Sequence, residues 1–303
     1  METGMQSTVG ILGLGIMGSA ISANLRKAGF NVVGFDISAE RLGAFSNAGG
    51  EAASSPRQVA EKAGIIISLL PSVQALDDVV SGPDGIVALG RTGLVLIESS
   101  TLPIEDKRRI HDLSRASITM LDCPLSGTGA QAVTKDVAIY ASGDHQAFET
   151  CVPVFNGFAR SHYYLGEFGN GSKMKFVANL LVAIHNLSTA EAFVLGMKAG
   201  LDPETIYKVV GDGAGSSRMF QVRGPLMIRG DYEPAAMKVE TWQKDMKIIA
   251  DFATRLKCPT PLFATSASFY TAALAQGRGG QDTASVCAIL EEMARLDRAQ
   301  FNT

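Results

Sequence analysis

The chain has 303 residues, 46% of them hydrophobic and 19% charged, with a formal net charge of −3. That length accommodates two domains with sizeable cores, and the near balance of charge gives no electrostatic reason to expect nucleic acid as a partner. The four cysteines (Cys123, Cys151, Cys258 and Cys287) form no Cys-x-x-Cys pair and the histidines no His-x-x-x-His pair, so no metal site and no disulfide framework is expected.

The opening METGMQS has neither the basic nor the apolar region of a secretory leader, and no apolar run approaches membrane-spanning length. A cytoplasmic protein with reduced thiols and no membrane partner is expected. Thr8 to Leu12 is a short, β-branched apolar run that reads as a strand buried on both faces. Gly13, Gly15 and Gly18 follow in the spacing Gly-x-Gly-x-x-Gly. Ser19 to Lys27 then reads as a helix stopped by Gly29.

A second strand, NVVGFD, ends at Asp36, 18 residues after Gly18. Strand, three glycines, helix and a strand ending in an acid make a dinucleotide-binding unit, in which the acid accepts hydrogen bonds from a ribose 2′-hydroxyl. Gly13 permits the tight turn, Gly15 lets a pyrophosphate approach the backbone, and Gly18 lets the helix lie close on the strand. The helix N-terminus offers its N–H groups to phosphate. A carboxylate at position 36 repels a 2′-phosphate, and Ile37 rather than an arginine follows it, so the cofactor expected is NAD, with NADP less favoured. Arg41, the nearest cation, is expected on a solvated helix face.

Further strands are expected at Ile65–Leu69, Leu94–Ile97, Ile118–Leu121 and Val137–Tyr140, with a short one at HYYL, all alternating with helices. This pattern predicts an α/β fold, a Rossmann-type doubly wound parallel sheet, with its ligand outside the carboxyl ends of the strands. Three strand ends carry polar segments there: SLLPS at 68–72, ESST at 98–101 and DCPLSGTG at 122–129.

After Gly171 the pattern turns helical. Ser172 to Lys198 holds no proline and is apolar on more than one face, as expected of a helix buried in a second domain or between subunits. The predicted division is a dinucleotide-binding domain over 1–168 and an all-helical substrate and dimerisation domain over 169–303, in a homodimer or homotetramer. Within GEFGNGSKMKFVANL, Lys175 and Asn179 are spaced i, i+4 and share a helix face, while Lys173 points elsewhere. Taken alone, Lys175 reads as a solvated lysine near a helix start rather than as a catalytic one. His111, His145, His162 and His185 are scattered and read as non-catalytic, and Trp242 as a packing residue.

The sequence resembles the β-hydroxyacid dehydrogenase family, which includes 3-hydroxyisobutyrate and tartronate semialdehyde enzymes. The resemblance covers nearly the whole chain and rests on GLGIMG at 13–18, DCPLSGTGAQA at 122–132, GEFGNGSKMKFVAN at 166–179 and KDMKI at 244–248. It implies hydride transfer between a nicotinamide cofactor and a small anionic 3-hydroxy acid or its semialdehyde, with Lys175 as general acid/base. It further implies cofactor contacts from Gly13, Leu14, Gly15, Ile16, Met17, Gly18, Asp36, Leu70, Pro71, Thr101 and Lys244. Substrate contacts would come from Ser126, Gly127, Thr128 and Asn179. Where the family has a second glycine this chain has Thr128, which implies an added side chain beside the carboxylate site. Lys135 and Asp136 likewise stand where the family commonly has Gly-x-Leu. Competing readings are an imine reductase-like enzyme, a 6-phosphogluconate dehydrogenase, against which the chain length and KFVAN speak, and a non-catalytic NAD sensor.

Overall fold

Apolar strands that must be covered on both faces dictate the first half of the chain. In the computed structural model, which describes residues 7–301, they alternate with helices: β1 (Thr8–Leu12), α1 (Ile16–Lys27), β2 (Asn31–Phe35), α2 (Ala39–Asn47), β3 (Glu51–Ala52), α3 (Pro56–Lys62), β4 (Ile65–Ser68), α4 (Val73–Ser81), β5 (Leu94–Glu98), α5 (Ile104–Ser114) and β6 (Ile118–Asp122). Serine side chains cap three of these helices, Ser38 at α2, Ser55 at α3 and Ser72 at α4, each accepting a first-turn N–H. The six strands form one parallel sheet in the order β3-β2-β1-β4-β5-β6, a Rossmann-type doubly wound fold.

Side chains alternate between the two faces. Ile11 joins a core with Ile21, Leu25, Val154 and Phe155, whereas Leu12 joins one with Val59, Ile66, Leu76 and Ile110. The register aligns the carboxyl ends of the strands: Leu12 lies opposite both Phe35 and Ser68, and Glu98 opposite both Ser68 and Asp122. Loops leaving that edge are therefore neighbours.

The chain continues through β7 (Leu125–Ser126), α6 (Gly129–Val133), β8 (Ala138–Ala141), α7 (His145–Phe158) and β9 (Ser161–Tyr164). The strands expected at Val137–Tyr140 and HYYL do form, but outside the six-stranded sheet. They make a second sheet in the order β7-β8-β9, with β7 antiparallel to β8. The chain runs on through Pro124 into β7 in one antiparallel register against β8, with Asp122 paired to Ser142 and Tyr140 N–H donating to Pro124 O, and reverses only between Ser126 and Ala138. β3, an edge strand of two residues, carries no period that a sequence reading can detect.

Helix α8 (Asn170–Lys198) is followed by α9 (Pro203–Gly211), α10 (Arg218–Arg229), α11 (Val239–Arg255), α12 (Pro261–Ala275) and α13 (Val286–Met293). The chain divides into two compact units after Lys175, inside α8 and beyond the expected boundary at 168. The first turn of α8 belongs to the amino-terminal unit because its backbone N–H groups bond there: Gly171 N–H donates to Ser142 Oγ at 2.9 Å and Ser172 N–H to Asp122 Oδ2 at 2.7 Å.

The second unit is helical and organised around buried polar pairs. Arg223 Nη1 donates to Asp282 Oδ2 at 2.7 Å, Ala236 and Met237 donate their backbone N–H groups to the same oxygen, and Asn186 donates to Tyr270 Oη at 3.0 Å. Trp242 is buried edge-on to Tyr270, the packing role expected of it. Contrary to the expectation that no segment is long enough, α8 has the length and mean hydropathy (1.4) of a membrane-spanning helix, although 44% of that apolar stretch is buried inside the protein. A buried core helix meets the same two criteria.

Candidate active site

The three glycines of the first turn do three separate jobs. Gly13 has φ +95°, and a Cβ there would lie 2.3 Å from Leu69 O. A Cβ on Gly18 would lie 1.9 Å from Gly13 O, so only glycine lets α1 start this close to the turn. At Gly15 a Cβ would meet no protein atom within 4 Å, so the space over this residue is open. Gly15 is also the N-cap of α1, with no side chain bonded to the first-turn N–H groups and no acid in that turn. An open glycine in front of uncapped helix N–H groups is a cradle that fits a dinucleotide pyrophosphate.

Asp36 closes the loop from the other side. Its oxygens accept the Leu14 N–H at 2.7 Å and the Ser38 N–H at 2.8 Å. A carboxylate has roughly four lone-pair sites, so capacity remains for ribose hydroxyls. Arg41 is exposed, as expected, yet its guanidinium turns back to within 3.7 Å of Asp36 Oδ2. Farther along the edge, Leu70 N–H donates to Ser100 Oγ at 2.8 Å, which ties the loop after β4 to the loop after β5, where Thr101 is half-buried. Pro71 is exposed beside them.

The segment expected to hold substrate lies in the same unit. Ser126 is in β7, and Gly127 has φ +143° with Val137 packed where a Cβ would go, so glycine is required there. Ile16 of the nucleotide loop packs against Gly129, and Asn24 Nδ2 of α1 donates to Ala132 O at 2.7 Å. The two motifs are thereby latched to one another. Thr128 is the N-cap of α6, where Oγ1 accepts the Gln131 N–H while Gln131 Oε1 accepts the Thr128 N–H. This capping box engages the Thr128 hydroxyl within the helix start. Lys135, at a position where the family commonly has glycine, has φ 62° and donates from Nζ to Asn156 O.

Lys175 is half-buried, one turn beyond Gly171 and Ser172 on α8. Gly171 sits tightly on the second motif, since a Cβ would lie 2.2 Å from Tyr140 O and 2.6 Å from Asp122 O. In the second unit, Asn179 Nδ2 donates to Asp245 Oδ2 at 3.1 Å, and Lys244 Nζ lies 3.7 Å from Asp245 Oδ1. Asp245 joins two of the expected site residues and was not singled out from the sequence, although it stands inside KDMKI. Also unforeseen is a buried charged group in the first unit, Glu98, Lys107 and Asp122, bonded to Ser100 and Ser172.

Residues 8–166 match the family model described as the NAD binding domain of 6-phosphogluconate dehydrogenase, and residues 169–290 match NAD-binding of NADP-dependent 3-hydroxyisobutyrate dehydrogenase. The chain belongs to the β-hydroxyacid dehydrogenase family. An L-threonate dehydrogenase of Cupriavidus necator is 33% identical over 94% of this chain and 96% of its own. Among solved structures, a 3-hydroxyisobutyrate dehydrogenase from Salmonella typhimurium is 31% identical with a TM-score of 0.84, covering 94% of this chain and all of its own. A Mycobacterium tuberculosis 3-hydroxyisobutyrate dehydrogenase with L-serine is 26% identical with a TM-score of 0.83, over 94% of this chain and 99% of its own. This β-hydroxyacid dehydrogenase therefore carries the nicotinamide-dinucleotide domains of enzymes that transfer hydride.

Proposed function

We propose that the protein oxidises a small 3-hydroxy acid, or reduces the matching semialdehyde, with NAD as cofactor and Lys175 as general acid/base. The observation that carries this reading is the anchoring of the α8 turn before Lys175 to Asp122, in the unit that also holds the glycine cradle and Ser126. A bound nicotinamide dinucleotide supplies the hydride acceptor or donor.

The residues of this chain do the rest. Gly15 and the first turn of α1 hold the phosphates, and Asp36 holds the adenosine ribose. The Ser126 hydroxyl and the Gly127 backbone bind the substrate carboxylate, and Asn179 orients the substrate with its amide set by Asp245. In oxidation, neutral Lys175 Nζ takes the proton from the carbinol hydroxyl as hydride leaves the same carbon. In reduction, the ammonium returns it.

A panel of L-threonate, 3-hydroxyisobutyrate, glycerate and tartronate semialdehyde, assayed by nicotinamide absorbance with both cofactors, tests the reading. Absence of turnover with every hydroxy acid despite tight NADH binding would favour the non-catalytic sensor, and turnover only with imines the imine reductase.

Asp36 supports NAD over NADP. Asp36→Ser should lower the ratio of kcat/KM for NAD to that for NADP, because it removes the carboxylate that binds the ribose diol and repels a phosphate. A parent enzyme already faster with NADP would overturn the assignment. The surface of the second unit supports a homodimer: Val177, Leu181 and Leu195 of α8 are exposed, and Val194, Leu195, Leu290 and Met293 line an apolar groove between α8 and α13. Exposed apolar surface of this kind is a common feature of interfaces. Light scattering at micromolar concentration should give at least twice the chain mass, and Leu195→Glu should shift it towards the monomer.

A further inference from the structure

Under the carboxyl ends of β5 and β6 lies a group of charges of which the proposed function uses only Asp122. Lys107 of α5 is fully buried, with Nζ 2.5 Å from Glu98 Oε2 and 2.8 Å from Asp122 Oδ1. Burial opposes charge on this amine, but Asp122 and Glu98 outweigh it and hold Lys107 protonated well above the usual lysine range. Taking three charges out of water is expensive, and apolar side chains of similar volume would stabilise the fold as well or better. The arrangement calls for a use.

Its outer bonds all run to segments at the candidate site. Glu98 Oε1 accepts the Ser100 N–H at 2.9 Å, and Ser100 Oγ in turn accepts the Leu70 N–H. Asp122 Oδ1 accepts from Ser172 Oγ and Asp122 Oδ2 from the Ser172 N–H, both at 2.7 Å. Lys107 Nζ also reaches Ser172 Oγ at 3.3 Å. Ser142 Oγ donates to Asp122 and accepts the Gly171 N–H. Ser172 precedes Lys175 by three residues, which places the two on one side of the helix.

We infer that Lys107 is a positioning residue: by neutralising Asp122 and Glu98 it lets Asp122 grip Ser172, and so sets the height and rotation of the α8 turn that presents Lys175. The inference rests on the role proposed for Lys175. The same cation also ties the loops bearing Leu70 and Ser100 to that turn through Glu98. Hydride transfer needs its acid/base placed closely, and a displacement of about 1 Å can cost about 10²-fold in rate.

Ser172→Ala and Lys107→Met test this in the full-length protein beside Lys175→Ala. Ser172→Ala leaves the charges paired and removes only the hydroxyl link. It should lower the melting temperature by only a few degrees and keep NADH affinity to within about threefold, while kcat falls by about tenfold. Lys107→Met should lower kcat by about 10²-fold, with NADH affinity in the folded protein again little changed. In both variants the deuterium isotope effect on kcat with substrate labelled at the carbinol carbon should rise, because the chemical step has been slowed.

Folded variants with parental kcat and isotope effect would overturn the inference. So would losses of kcat and NADH affinity that merely track the fraction unfolded. If Lys107→Met does not fold, Ser172→Ala decides alone. An active Lys175→Ala would overturn this inference together with the proposed acid/base. An inactive Lys175→Ala beside parental Ser172→Ala and Lys107→Met would overturn this inference only.

Discussion

Lys175→Ala should lower turnover by about 10²–10⁴, the contribution of a positioned general acid/base, and leave NADH affinity nearly unchanged. The separation follows from where the groups sit. In the proposed site the dinucleotide is held by the Gly13–Gly18 turn and Asp36, whereas Lys175 is on another element, α8. Lys175→Arg should be almost as poor, since a guanidinium does not give up its proton near neutral pH. Lys173→Ala is the control: that side chain is exposed and donates to Asn170 Oδ1 at 2.9 Å, a surface contact of small worth. Steady-state rates with the best hydroxy acid, alongside NADH titrations by fluorescence, separate the outcomes. Equal activity in all three variants would mean that Lys175 is a solvated lysine and that the chemistry lies elsewhere.

The same substitution at two glycines of one turn should have opposite consequences. Gly18→Ala places a methyl group 1.9 Å from a backbone oxygen, Gly13 O, which no side-chain rotation relieves, so α1 must lift away from β1. Overpacking of this kind costs about 1–3 kcal/mol or more, and the melting temperature should drop by several degrees along with cofactor affinity. Gly15→Ala meets no protein atom within 4 Å, so stability should stay at the parental value. Its methyl group instead fills the space a pyrophosphate needs, and NADH affinity should fall by about tenfold or more, the equivalent of ~1.4 kcal/mol. Thermal melts with and without NADH read both quantities. Normal NADH binding by a stable Gly15→Ala would remove the cradle from the cofactor site.

What was legible in the sequence was what local spacing encodes. Gly13, Gly15, Gly18 and Asp36 lie within one strand–helix–strand unit, so their joint placement follows from the period of the elements between them. Lys175 and Asn179 share a helix face by their i, i+4 spacing, but their chemical interest came from the resemblance. Lys107 was not legible. It stands in IEDKRRI, a segment with the composition of a solvated helix, and its partners Asp122 and Ser172 are 15 and 65 residues away. Periodicity identified the strands near Val137 and His162 but not the sheet they join, because the antiparallel pairing of Leu125 and Ser126 with Ile139 and Ala138 is a long-range register that no local period records. Thr128 was recognised as a departure from the family, yet the direction of its hydroxyl depended on Gln131 completing a capping box.

Asp36, to which the ribose is proposed to bind, also organises the loop itself. By accepting the Leu14 and Ser38 N–H groups it fixes the turn before any ligand arrives. The cofactor then meets a finished surface, and the entropic penalty of association falls on the dinucleotide rather than on the polypeptide. The same economy makes the site hard to re-educate. A side chain introduced at position 36 to welcome a 2′-phosphate must also accept the two backbone N–H groups that Asp36 accepts, or the turn loosens for both nicotinamide cofactors alike. Conversion to the phosphorylated cofactor by one substitution should therefore weaken binding of each before it reverses the preference. A compensating second change, at Arg41 or in the backbone after Ser38, would have to come first in any evolutionary path between the two.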